Sequence, residues 1–170
     1  RGMLLEGSTH YHLIVTRWYL ECWLMACQNL LPEAATLENI CRKMMSVLPT
    51  LILPGGFPLI GDISPDSPPN FLSGLLSGDH SEHTWLSKLS KPDLDRIDRL
   101  RTDVGPDLTE DGWLRYNSGN WAGLWHVPKQ GWPKIPGHGH QDIGAFELHW
   151  KSIPLFIDPG RGGYGEKADS

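Results

Sequence analysis

The chain changes its periodicity once, and that change limits the folds open to it. Residues 12–30, "HLIVTRWYLECWLMACQNL", are apolar on almost every side of a helical repeat, so they predict a helix buried among others. Pro32 stands near the start of a second helix, where proline is tolerated. Over 33–48, Leu37, Cys41, Met44 and Leu48 recur at i, i+4, i+7 and i+11, one amphipathic face, and Pro49 is expected to stop the run. Two antiparallel helices with a short connection follow. From about residue 110 the period falls to two. "DGWLRYNSGNWAGLWHV" reads as two strands around the turn "NSGN", and "FELHWKSIPLFID" as another pair around Lys151 and Ser152. Phe146, Leu148 and Trp150 alternate with Ala145, Glu147 and His149, so one face can be buried. Helices followed by strands predict an α+β chain, with a helical part over 1–105 and an antiparallel sheet part over 106–170.

Between these parts, "LPGGFPLIGDISPDSPPN" is dense in Gly, Pro and Asp and reads as a long loop or domain junction. Asp62 and Asp66 there suit Asx-turns. Short helices are expected near 71–77, 83–90 and 92–101.

Charge and composition exclude some functions. A net charge of -5 argues against a nucleic-acid partner, which needs clustered Lys and Arg. A polyanionic ligand must then meet a local patch, for which Arg17, Lys129, Lys134 and Arg161 are the available cations. Arg17 and Glu21 interrupt the run 12–30, and the unbroken apolar stretch left is too short to span a membrane. Cys22, Cys27 and Cys41 show no disulfide-rich pattern and read as free, buried thiols. Eight tryptophans are unusual in a short chain, and core packing is the first reading of any one of them; Trp121, Trp125 and Trp132 border the sheet, where an indole either packs or offers a platform to a sugar face.

Two stretches carry groups able to do chemistry. In "GHGHQDIGAFELHWKSIPLFIDPG", residues 137–160, His138 and His140 point to the same side if the segment is extended. With a turn at Lys151 and Ser152, Asp158 pairs near Ala145, leaving His140 roughly 10–17 Å farther along the strand. That spacing permits a metal site without requiring one, and histidines of the surface or the core satisfy it equally. In "EGSTHYHL", Glu6, His10, Tyr11 and His12 gather at the mouth of a helix. A phenol, ordinarily of pKa about 10, can give a proton to a leaving oxygen or, once ionised, take one. The alternative is a tyrosine packed at a helix end beside solvated histidines. His80 and His83 of "GDHSEHTW" have metal-like spacing but sit in a polar segment that reads as a solvated loop.

"EGSTHYH", "FPLIGDISPD" and "GHGHQDIGAFELHWKSIPLFIDPG" together resemble the heparinase II/III-like polysaccharide lyases. The resemblance covers most of the chain and is weakest at 72–105. It implies the end of an α/α toroid followed by the first strands of an antiparallel β-sandwich, with the active site in the cleft between them. It also implies β-elimination on a uronic-acid-containing acidic polysaccharide. Tyr11 matches the family's catalytic tyrosine, a general acid to which the base role is also open. His138 matches the sandwich histidine, as base or charge neutraliser. His140 and Asp158 match two ligands of a structural zinc, which would pin the loop aiming His138. His10, His12, Arg17 and Trp125 become the candidates for contact with substrate.

Two departures accompany the match. The third zinc ligand, a histidine, has no counterpart before Ser170. The Asn or His that neutralises the substrate carboxylate lies upstream of "EGS" in the family. The expectation is therefore an excerpt of a longer protein whose site is completed elsewhere, working in the periplasm or outside the cell. The alternative function is a non-catalytic acidic-glycan-binding or scaffold protein on the same fold. A glycoside hydrolase would need two opposed carboxyl groups, and no Asp or Glu pair here demands that role.

Overall fold

The computed structural model describes residues 2–127 and 144–158. The first helix, α1 (Thr9–Gln28), begins at Ser8, whose Oγ accepts the Tyr11 N–H at 3.1 Å, the usual serine N-cap. Leu13, Ile14, Leu20, Trp23 and Leu24 of α1 are all buried, as an all-round apolar helix requires. The second helix, α2 (Ala34–Ser46), runs back along α1, bringing its last turn to the first turn of α1: the ring of His12 reaches the Met44 carbonyl. Pro49 does not stop this helix. Val47 ends it, and Pro49 instead sits in the first turn of a short α3 (Leu48–Leu51), where its missing N–H costs nothing.

Single turns α4 (Pro69–Leu72) and α5 (Gly74–Ser77), a 3-10 turn at Trp85–Lys88, and α6 (Lys91–Asp98) follow close to their expected places. Their apolar residues close the first core, in which Leu72, Leu75, Trp85, Leu86, Ile97 and Leu100 pack on α1 and α2.

Among the described residues four strands follow: β1 (Trp113–Ser118), β2 (Trp121–His126), β3 (Phe146–Trp150) and β4 (Ile153–Phe156). They form an antiparallel meander in the order β1-β2-β3-β4. Ser118 pairs with Trp121 and Trp150 with Ile153, so both hairpins turn at the expected residues. A bulge between Leu148 and His149 shifts the last pairing by one: His149 faces Pro154, but Leu148 faces Phe156. The chain is thus α+β.

One face of the sheet carries Trp113, Arg115, Ala122, Leu124, Glu147 and His149, by the register of the three pairings. It covers a second core of Met3, Val47, Leu51, Leu53, Ile60, Leu108, Trp113, Ala122 and Leu124. Phe57, in the long Gly/Pro-rich segment, packs against both cores. That segment is therefore the seam between helices and sheet. Arg115 fastens another point of the seam: its guanidinium donates to the carbonyls of Thr50, at 2.9 Å, and Ile52, at the C-terminal end of α3.

Trp113 is 1% exposed and lies against the His126 ring at 4.4 Å. Trp113→Ala is expected to cost about 3–5 kcal/mol through lost burial and the cavity left behind, read as a lower urea midpoint. His12 gives the fold a pH dependence. Leu4 N–H donates to its Nδ1, its Nε2 lies 3.2 Å from Met44 O, and burial lowers its pKa to about 4. The unfolded ring takes a proton near pH 6.5, so between pH 6.5 and about 4 the unfolded state binds more protons. This contribution is fully present above pH 6.5 and is lost as pH falls toward 4, by about 3 kcal/mol in all. Urea titrations at pH 7 and pH 4 should show His12→Asn losing that much less stability on acidification than the parent.

Candidate active site

The site begins with residues 58–62, a strap without regular secondary structure whose hydrogen-bond partners alternate between two sides. Its even-numbered residues hold α1. Thr9 Oγ1 donates to Pro58 O at 2.6 Å, Thr9 N–H donates to Ile60 O at 3.0 Å, and Ile60 N–H donates back to Thr9 Oγ1 at 3.1 Å. Ser8 Oγ donates to Asp62 O at 2.8 Å. The odd-numbered residues hold the sheet: Leu59 N–H donates to Glu147 Oε1 at 2.9 Å and Gly61 N–H to Asp158 Oδ2 at 3.2 Å. Just upstream, Gly55 N–H donates to His149 Nδ1 at 3.1 Å. The strap thus has the first turn of α1 on one side and the β3–β4 hairpin on the other.

Two glycines make the approach possible. Gly61 has φ 85° and lies so close to α1 that a Cβ would stand 2.7 Å from Gly7 O and 2.9 Å from Ser8 Cα. At Gly55 a Cβ would meet His149 Nδ1 at 2.8 Å.

Tyr11 is the third residue of α1 and is half-buried, edge-on to the His10 ring at 6.2 Å between centroids. The N–H groups of Thr9 and Tyr11 are taken by Ile60 and Ser8. This helix end is therefore closed by the strap rather than held open for an anion.

The buried histidines 10, 12 and 149 share one arrangement. In each, a backbone N–H donates to Nδ1: Ser64 to His10 at 3.0 Å, Leu4 to His12, Gly55 to His149. An accepting Nδ1 fixes the neutral ring with its hydrogen on Nε2. His12 gives that hydrogen to Met44 O and His149 gives it to Glu147 Oε2 at 3.3 Å. His10 Nε2 is buried and has no acceptor at hydrogen-bond distance among the described residues. Burial holds the His10 ring below the ordinary imidazole pKa, against a small opposing effect of the Ser67 backbone.

On the sheet side, Glu147 is 6% exposed and His149 1%. Burial pushes the Glu147 carboxyl above the usual carboxylate range; the Leu59 N–H and His149 pull it back, and the charge of Asp158 adds to the rise. The alternation along β3 is present, but the side packed toward the helices bears this polar pair, while Phe146, Leu148 and Trp150 lie half-buried on the other. Hydrophobicity alone would turn the strand over. Two backbone amides of the strap, which must find acceptors when buried, explain the choice.

The remaining expected residues are dispersed. His12 lies inside, with both ring nitrogens on backbone groups, and is not presented to a ligand. Arg17 is ion-paired with Glu21 at 2.8 Å and stands over the Phe71 ring at 5.6 Å. Trp125 is half-buried on the sheet face opposite Glu147, stacked on Phe146 at 5.6 Å. Asp62 is buried, and the side-chain turn in that loop is made by Ser64, whose Oγ accepts Asp66 N–H at 3.3 Å. His80 and His83 are exposed. His138, His140, Trp132, Lys129, Lys134 and Arg161 lie outside the described residues.

Of the two expected zinc ligands only Asp158 is described, and its carboxylate holds the Gly61 amide. Among the described residues no three His, Cys, Asp or Glu side chains meet as a metal centre would require. No described helix is long and apolar enough to cross a membrane. A cleft of about 420 Å³ between α3, the 103–109 loop and β1 is lined by Thr50, Asp103, Asp107, Arg115 and Asn117, and none of the expected site residues lines it.

Residues 101–169 match the family described as "Heparinase II/III-like, C-terminal", a segment that includes all four strands. No curated protein and no solved structure matches the chain.

Proposed function

With residues 101–169 heparinase II/III-like, we propose that the protein is a polysaccharide lyase that cleaves a uronic-acid-containing acidic polysaccharide by β-elimination. The observation that carries the proposal is the strap. It ties the helix turn bearing Tyr11 directly to the strands of the family-matched segment, through the Thr9–Ile60 and Glu147–Leu59 hydrogen bonds. The strap supports a site at this junction, where the Tyr11 phenol would act on the sugar together with the His138 imidazole, a residue outside the described ones.

In the reaction a base removes the C5 proton, the electron pair passes into the enediolate of the adjacent carboxylate, and the C4–O4 bond breaks as O4 takes a proton. The product has a C4–C5 double bond. Stabilising the enediolate is the demanding part, and it calls for donors already aimed at the carboxylate. His138 takes this role, or that of base; Tyr11 gives the proton to O4, with the base role also open to it. Zinc on His140 and Asp158 belongs to the proposal as a pin for the histidine loop, and no chemical step passes through it. The buried His10 ring packs edge-on against Tyr11. A periplasmic or secreted location belongs to the same reading, because acidic polysaccharides of this class are met there.

The test is ultraviolet absorbance from the new double bond, measured with the full-length natural protein on heparin-like, chondroitin-like and alginate-like polymers. One of these should give the signal, and Tyr11→Phe should lower its rate by at least about 100-fold without moving the melting temperature. Normal turnover in Tyr11→Phe would remove Tyr11 from the mechanism. Polymer binding without unsaturated ends would show a glycan-binding protein, and new reducing ends without the double bond a hydrolase.

A further inference from the structure

Glu147 and His149 need an explanation that stability does not supply. Burying a carboxylate and an imidazole is costly, and an apolar pair would serve a sheet interior as well or better. The pair is nevertheless arranged so that each of its hydrogen-bonding groups has a definite partner. Glu147 Oε1 accepts from Leu59 N, Glu147 Oε2 accepts from His149 Nε2, and His149 Nδ1 accepts from Gly55 N. The result is a two-point clamp, on the strap at residue 59 and on the chain just upstream of it at residue 55. The residue after Leu59 is Ile60, which exchanges two hydrogen bonds with Thr9, and Tyr11 stands two residues beyond Thr9.

We propose that Glu147, braced by His149, is a positioning residue for Tyr11: it sets the height of the strap, and through Ile60 and Thr9 the position of the phenol. The proposal rests on the lyase reading for its kinetic consequence, but not for its structural one. Between Glu147 and the helix there is one peptide unit and one reciprocal hydrogen-bonded pair. All the side chains along that path are buried or half-buried, so a displacement at Leu59 has little room to be absorbed before it reaches α1. A carboxylate suits the task because one of its oxygens can accept the Leu59 amide while the other accepts from the ring that holds Gly55.

Three variants of the full-length protein test this: Glu147→Ala, which removes both acceptors; Glu147→Gln, which keeps an oxygen for Leu59 but opposes an N–H₂ to His149 Nε2–H; and His149→Gln, which loosens Gly55 and leaves Glu147 on Leu59. Since a displacement of about 1 Å at a catalytic group can cost about 100-fold, Glu147→Ala is expected to lower kcat by about that factor with KM within about threefold. Glu147→Gln should recover most of the loss. A substrate contact would raise KM instead, and a purely structural role would leave the kcat of the folded fraction unchanged; either result overturns the proposal. A second readout needs no turnover: 3-fluorotyrosine placed at position 11, followed by ¹⁹F NMR. Its resonance should move in Glu147→Ala and return toward the parent in Glu147→Gln. If Glu147→Ala does not fold, His149→Gln decides, with a smaller shift in the same direction expected and none contradicting the proposal. If the parent makes no unsaturated product, the lyase reading fails, and the fluorine resonance still judges the positioning.

Discussion

The hydrogen bonding of the strap at residues 58–62 holds the rest of this structure in place. Successive residues of the strap turn their peptide groups to two sides, and the two sides belong to different halves of the molecule. Pro58, Ile60 and Asp62 bind Ser8 and Thr9, while Leu59 and Gly61 bind Glu147 and Asp158. Net gains from single hydrogen bonds are about 1 kcal/mol, but a buried peptide group left without a partner costs more than a made bond gains. The seam therefore cannot slide by one residue without exposing every one of these groups to that penalty. Phe57 adds an apolar anchor shared by both cores.

This arrangement accounts for the unusual content of the neighbouring elements. The first turn of α1 holds Ser8, Thr9 and His10, all buried, where a surface helix would show polar residues to water. Strand β3 turns Glu147 and His149 inward and leaves its aromatic residues on the opposite face. Both choices follow from the same requirement: a loop threaded between two elements brings its own donors and acceptors inside, and side chains must meet them.

Much of this was legible in the residues. The all-round apolar run gave α1 and the heptad-like face gave α2. The turns "NSGN" and Lys151–Ser152 gave both hairpins, and the Gly/Pro density marked the seam. What was not legible depends on contacts distant in sequence. Alternation along β3 says that two faces differ, not which one faces in, and the acceptors that decide it serve amides some ninety residues earlier. Asp158 was read through its distance from His140 along a regular hairpin; the bulge at Leu148 and the Gly61 amide set its surroundings instead. The signal that could have found Glu147 and His149 was available: two ionisable residues, alternating with aromatics, in a strand otherwise suited to burial.

On the proposed reading, Tyr11 and His138 act on one bound sugar. A crystal structure of the full-length protein, with an unreactive oligouronate soaked in, tests it most directly. The account expects the Tyr11 hydroxyl within about 3 Å of the glycosidic O4 and the His138 ring against C5 or the carboxylate of the same residue. A sugar bound elsewhere, or the two side chains opening onto separate surfaces, would contradict it.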